Sequence, residues 1–175
     1  MGITAEKGHP IANITAALYD RDFCAWTEEQ VRLLAERRFE NLDLDHLTEE
    51  IRDMGNEQVF ALESALIQAL VHLLKLACSP AKDPRGVWKV SVTKQRVVVE
   101  RLIKRNPSLK SKIDELFTDA WGDARKIARA ELEQFNEVVE LPERCPFTLV
   151  QVRDDEFWPG QEAAPPPPGS KGVDR

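Results

Sequence analysis

A chain of 175 residues with 42% hydrophobic and 31% charged side chains and a net charge of −6 fits a single domain with its own core. Eight glycines, eleven prolines and three cysteines exclude a collagen-like, wholly disordered or disulfide-stapled chain. No apolar run approaches the roughly 20 residues of a membrane span, and residues 1–10 lack the apolar stretch of a secretory signal. The expectation is therefore a cytoplasmic protein without membrane contact, with Cys24, Cys78 and Cys145 as reduced thiols.

Residues 1–18 show no clear period and read as a flexible segment ahead of one helical domain over 19–159. Asp20 or Asp22 can cap a first helix in which Phe23, Trp26, Leu33 and Leu34 share one side; Thr27 with Gln30 is an alternative capping box. That helix should end near Phe39. Asp43 caps a second helix over 44–54, with Leu44, Leu47, Ile51 and Met54 at helical spacing. Gly55-Asn56 then reads as a stop followed by a new cap, the alternative being one bent helix running through it. Val59, Leu62, Leu66, Ala69, Leu73 and Leu76 step by threes and fours, and Ile67, Leu70 and Leu74 widen the apolar arc, so this third helix belongs in the middle of a bundle.

After Ser79-Pro80 and Pro84 a fourth helix is predicted over about 86–105. Trp88, Val92, Val99, Leu102 and Ile103 fall in one arc of about 100°, and Lys89, Lys94, Arg96, Arg101, Lys104 and Arg105 are read on the opposite side. Val90, Val97 and Val98 interrupt that basic side and keep a strand as the lesser alternative. Asn106-Pro107 opens a fifth helix to about Phe135, with Leu109, Ile113, Leu116, Trp121, Ala124, Ile127, Ala128 and Leu132 inward. Beyond Pro142 the chain reads as irregular, and residues 160–175, containing Pro165 to Pro168, as a disordered tail. The fold class is all-α, a compact bundle of about five helices.

The charge is unevenly spread. Residues 82–112 carry ten basic side chains against Asp83 and Glu100, while 1–81 and 113–175 each carry seven basic against fourteen acidic. A basic helix between acidic flanks can serve a phosphate or an acidic partner, or face those flanks in the folded protein.

Taken in order, Tyr19-Asp20-x-Asp22-Phe23-x-x-Trp26, Leu42-Asp43-Leu44, Glu49-Glu50-Ile51, Met54-Gly55, His72-Leu73-Leu74-Lys75, Trp88, Gln95-Arg96, Pro107-Ser108-Leu109, Cys145-Pro146 and Phe157-Trp158-Pro159 form a familiar series. It resembles a bacterial family, the domain of unknown function numbered 29, over about residues 19–159. The resemblance implies a compact helical fold and a bacterial source, and it implies no activity.

Three constellations bear on function. His46, Glu50 and Asp53 stand at i, i+4 and i+7, one column that could share a divalent metal, with His72 joining if folding brings it near and Glu57 if the helix runs through Gly55. Glu50 can equally pair with Arg32, Arg37 or Lys75, and no other cofactor is implied. Next, Lys89, Arg96, Arg101 and Lys104 with Trp88 make a basic, aromatic patch suited to a protein partner or a second copy of the chain. The same cations could meet nucleic acid phosphates, against which stands the overall acidity. The cysteines have no histidine at motif spacing, and the chain has no Gly-rich phosphate loop, Gly-x-Ser-x-Gly or Cys-x-x-Cys, so no catalytic motif supports an enzyme.

Overall fold

Asp22 opens the first long helix: its side chain accepts from the backbone N–H of Ala25 at 3.0 Å, and α1 runs Phe23–Ala35. The computed structural model describes residues 17–160, so residues 1–16 and the Pro165–Pro168 tail lie outside it. No strand occurs among the described residues. α1 ends in a Schellman turn, with Arg38 N–H on Leu33 C=O at 2.9 Å and Arg37 N–H on Leu34 C=O at 3.1 Å. The residue in the left-handed position is Arg37, φ 58°, where glycine is usual.

A short 3₁₀ turn, Phe39–Asn41, leads to Asp43 and to α2, Leu44–Cys78. The stop expected at Gly55-Asn56 does not occur; α2 passes through it. Glycine in a helix costs about 1 kcal/mol, and starting a second helix would mean a new unfavourable nucleus. Asn56 donates to Asp53 Oδ1 at 3.3 Å rather than capping anything. Leu44, Ile51 and Met54 are each more than half exposed, so the stripe expected to face a core does not.

The expectation that no segment has the make-up of a membrane span is likewise corrected. α2 is long and apolar enough to cross one by length and composition, with a window of mean hydropathy 1.6. That window tolerates charged residues such as Lys75, which a search for unbroken apolar runs does not. More than half of it is buried inside the protein, as in a core helix.

The chain divides into two compact units, up to Gln58 and from Val59 onward. In the first, Trp26, Leu33 and Leu42 are buried together with Gln30, Asn41 and Asp43. In the second, the bundle core is built from Leu62, Leu66, Leu70, Leu73 and Leu74 of α2, all fully buried. Burying each such leucine is worth about 1.5–3 kcal/mol before chain entropy is counted. α3 (Arg85–Arg105) adds Trp88, Val92, Val99 and Ile103 to this core. A 3₁₀ turn at Pro107–Ser111 precedes α4 (Ile113–Gln134), whose Ala120, Ala124 and Ala128 form a strip of small, fully buried residues four apart. α4 also ends in a Schellman turn, this time on Asn136, φ 60°.

The C-terminal segment holds a short helix that sequence reading left irregular, α5, Leu149–Arg153. Its signal is Thr148-x-x-Gln151, a capping box: Thr148 Oγ1 accepts from Gln151 N–H at 3.2 Å and Gln151 Oε1 from Thr148 N–H at 2.9 Å. α3 packs against both the Pro107–Ser111 turn and α5.

Candidate functional site

In the first unit the start of α2 brings polar and aromatic groups onto α1. Asp43, buried before the first turn, accepts from Trp26 Nε1 at 3.1 Å and lies 2.7 Å from His46 Nδ1. Its own backbone N–H donates to Gln30 Oε1 at 2.9 Å. Tyr19 stacks on His46 with ring centroids 4.0 Å apart, and its hydroxyl donates to Glu50 at 2.5 Å. The hydrogen bond from Tyr19 to Glu50, together with burial and the Glu50 charge, pushes the phenol up to about 12. The Asp43 carboxylate holds the His46 imidazolium above its ordinary value, outweighing the loss of hydration.

The predicted metal column is thus present as a helix face, with its groups turned to other work. His46 Nδ1 is engaged by Asp43, Glu50 by Tyr19 and Asp53 by Asn56. Glu57, carried into the same column by the continuing helix, is exposed. Among the described residues no three His, Cys, Asp or Glu side chains gather as a metal site. His72 is twenty-two residues beyond Glu50 on the same helix, about six turns, and belongs to the second unit. There it lines a cavity near Lys75.

The basic helix is rearranged too. Trp88, Val92, Arg96, Val99 and Ile103 step by four, four, three and four, so Arg96 lies in the buried stripe of α3, only 2% exposed. The expectation that Arg96 faces outward with the other cations is corrected by that spacing. Its guanidinium donates to the carbonyls of Val152 at 2.8 Å, Phe157 at 2.9 Å, Asp155 at 3.3 Å and Gln151 at 3.4 Å. It also lies 4.7 Å from the centre of the Trp158 ring. Trp88 is buried in the core with Lys75 Nζ 4.9 Å from its ring centre, so it is no surface contact. Lys89 is half-buried over Trp158, at 5.2 Å.

What remains on the outside of α3 is a stripe of another kind. Val87, Val90, Lys94, Val97, Arg101 and Lys104 step by three and four and fall within about 100° of the helix circumference. The three valines are each more than half exposed. Lys94, Arg101 and Lys104 are exposed and pair with no carboxylate among the described residues.

The model of one family, "Domain of unknown function DUF29", matches residues 18–158. The chain belongs to that family. The DUF29 region takes in the Tyr19–Glu50 cluster, the whole of α3 and the segment that Arg96 holds, ending at Trp158. No curated protein and no solved structure matches this DUF29 chain. Two elements of the DUF29 region went unread in the sequence. The Tyr19–Glu50 bond joins residues 31 apart, with no local signal. Arg96 does have one: its place in the four-four-three-four core stripe.

Proposed function

We propose that the protein is a binding module whose α3 outer face docks an acidic amphipathic helix of a partner protein. The observation that carries this reading is the exposed stripe of Val87, Val90 and Val97 alternating with unpaired Lys94, Arg101 and Lys104. Three β-branched side chains held in water on one helix face lose hydration free energy that a facing apolar seam recovers. Cations between them favour a seam flanked by carboxylates and disfavour a basic one. A nucleic acid backbone would satisfy the cations and leave the valines against phosphates, so it fits the stripe less well.

The test uses a short stapled helix with a leucine seam flanked by glutamates, and the same helix with lysines in their place. Anisotropy should show the acidic helix binding and the lysine helix not. Val97→Glu should weaken binding about tenfold, as should the triple change Lys94→Glu, Arg101→Glu and Lys104→Glu, with unchanged circular dichroism. Equal binding of the two helices, or indifference to both sets of changes, would sink this reading. Strong, salt-sensitive retention on heparin with no helix binding would move it to nucleic acid.

A further inference from the structure

The second unit contains a cavity of about 710 Å³, within the range of small-molecule sites. One wall is apolar: Trp88 of α3, Leu132 of α4, Phe135 just beyond it, and Val87, which also begins the outer stripe of α3. Phe135 is 69% exposed, a large aromatic surface that an occupant would take out of water.

The polar groups are four, and their charges do not balance. Lys75 donates to Glu131 at 2.6 Å, so its charge is matched within the protein. Glu137 takes the hydroxyl hydrogen bond of Ser79, a neutral donor, and Asp83 pairs with no cation among the described residues. Arg85 is committed to the carbonyls of Leu76 at 2.8 Å and Ser79 at 3.4 Å and does not line the cavity. His72 adds no positive charge, because burial first and Lys75 second hold its imidazole below the ordinary value. Its Nδ1 is buried without a hydrogen-bond partner.

We propose that this cavity binds a small organic cation, an amine whose apolar body lies against Trp88, Leu132 and Phe135 and whose ammonium is drawn to Asp83 and Glu137. A carboxylate ligand would meet two unmatched negative charges and one lysine already taken. A neutral apolar ligand would gain the wall and nothing from the carboxylates.

Three probes of nearly equal shape separate these cases: phenethylamine, phenethyl alcohol and hydrocinnamate, titrated into the full chain. Saturable shifts of the Trp88 indole and His72 ring resonances are read by NMR. Phenethylamine should bind about tenfold more tightly than the alcohol, and hydrocinnamate should be weakest. The double variant Asp83→Asn, Glu137→Gln should remove the preference for the amine and leave the alcohol unchanged, which also shows that the cavity is still folded. Hydrocinnamate binding as tightly as the amine, no shift with any probe, or an amine preference that survives the double variant would each overturn the proposal. Lys94, Arg101 and Lys104 do not line the cavity, so the triple change Lys94→Glu, Arg101→Glu and Lys104→Glu should not affect amine binding, and it separates this proposal from the one for the outer face.

Discussion

Replacing Arg96 tests how the C-terminal segment is held. Its two short bonds, to Val152 and Phe157 carbonyls, are charge-assisted, each worth about 1.5–3 kcal/mol net; those to Asp155 and Gln151 are longer and count for less. Against them stands the desolvation of a guanidinium only 2% exposed, a cost of several kcal/mol. Arg96→Met escapes that cost and keeps the stem, but it leaves the carbonyls without a donor, since a substitution cannot remove main-chain oxygens. The balance is a loss of about 3 kcal/mol, a large share of the roughly 5–15 kcal/mol that holds a domain folded. Arg96→Lys retains a charge and loses the planar fork, so it should cost about 2 kcal/mol. Urea unfolding followed by far-UV circular dichroism measures both losses. Hydrogen exchange at Val152 and Asp154, whose amides close the α5 turn, should quicken in both variants. If Arg96→Lys fell within about 0.5 kcal/mol of the parent, the forked grip on the carbonyls would not be what secures this segment.

Tyr19 is the single tyrosine in the chain, so absorbance at alkaline pH follows it without overlap. Its titration should centre near 12 and fall toward 10 in Glu50→Gln; superimposable curves would remove the Glu50 bond as the cause. Because the folded value lies above the unfolded one, the folded state keeps its proton longer. The Tyr19 contribution to stability is therefore intact below pH 10 and lost as pH rises through about 12. Arg37→Gly should stabilise the protein by about 0.5–1 kcal/mol, since a left-handed backbone that strains arginine suits glycine. A lower urea midpoint for this variant would mean that the Arg37 side chain contributes more than its backbone costs.

The sequence made the helices legible where a wide apolar arc had to be buried. Leu62 to Leu76 and Trp88 to Ile103 carry their period openly, and both lie in the core. It misled where periodicity was taken to mean burial, for Leu44, Ile51 and Met54 have helical spacing and face outward; apolar residues inside is a one-way rule. The end of α1 was read too late, near Phe39 where the helix stops at Ala35, because the left-handed position is filled by Arg37, with no glycine to announce it. The candidate sites were legible as helix faces only. Spacing along α2 aligned His46 with Glu50, but the partners that occupy them, Asp43 and Tyr19, come from outside that helix. Lys94, Arg101 and Lys104 were readable as a basic face, whereas the cavity beside His72 draws on three helices and two loops, which no local pattern foretells.

Arg96 grips the C-terminal segment by oxygens that every amino acid carries. Substitutions at positions 151, 152, 155 and 157 can therefore drift as far as local packing allows without loosening that grip, because at those four positions the guanidinium reads the path of the chain; Trp158, whose ring it faces, is the one side chain of the segment it also meets. No side-chain change at those four positions can stand in for the lost hydrogen bonds of the arginine, and no paired exchange between them and Arg96 would be expected to arise. A search for residues that vary in concert would pass over this contact, although it is among the most heavily bonded in the protein.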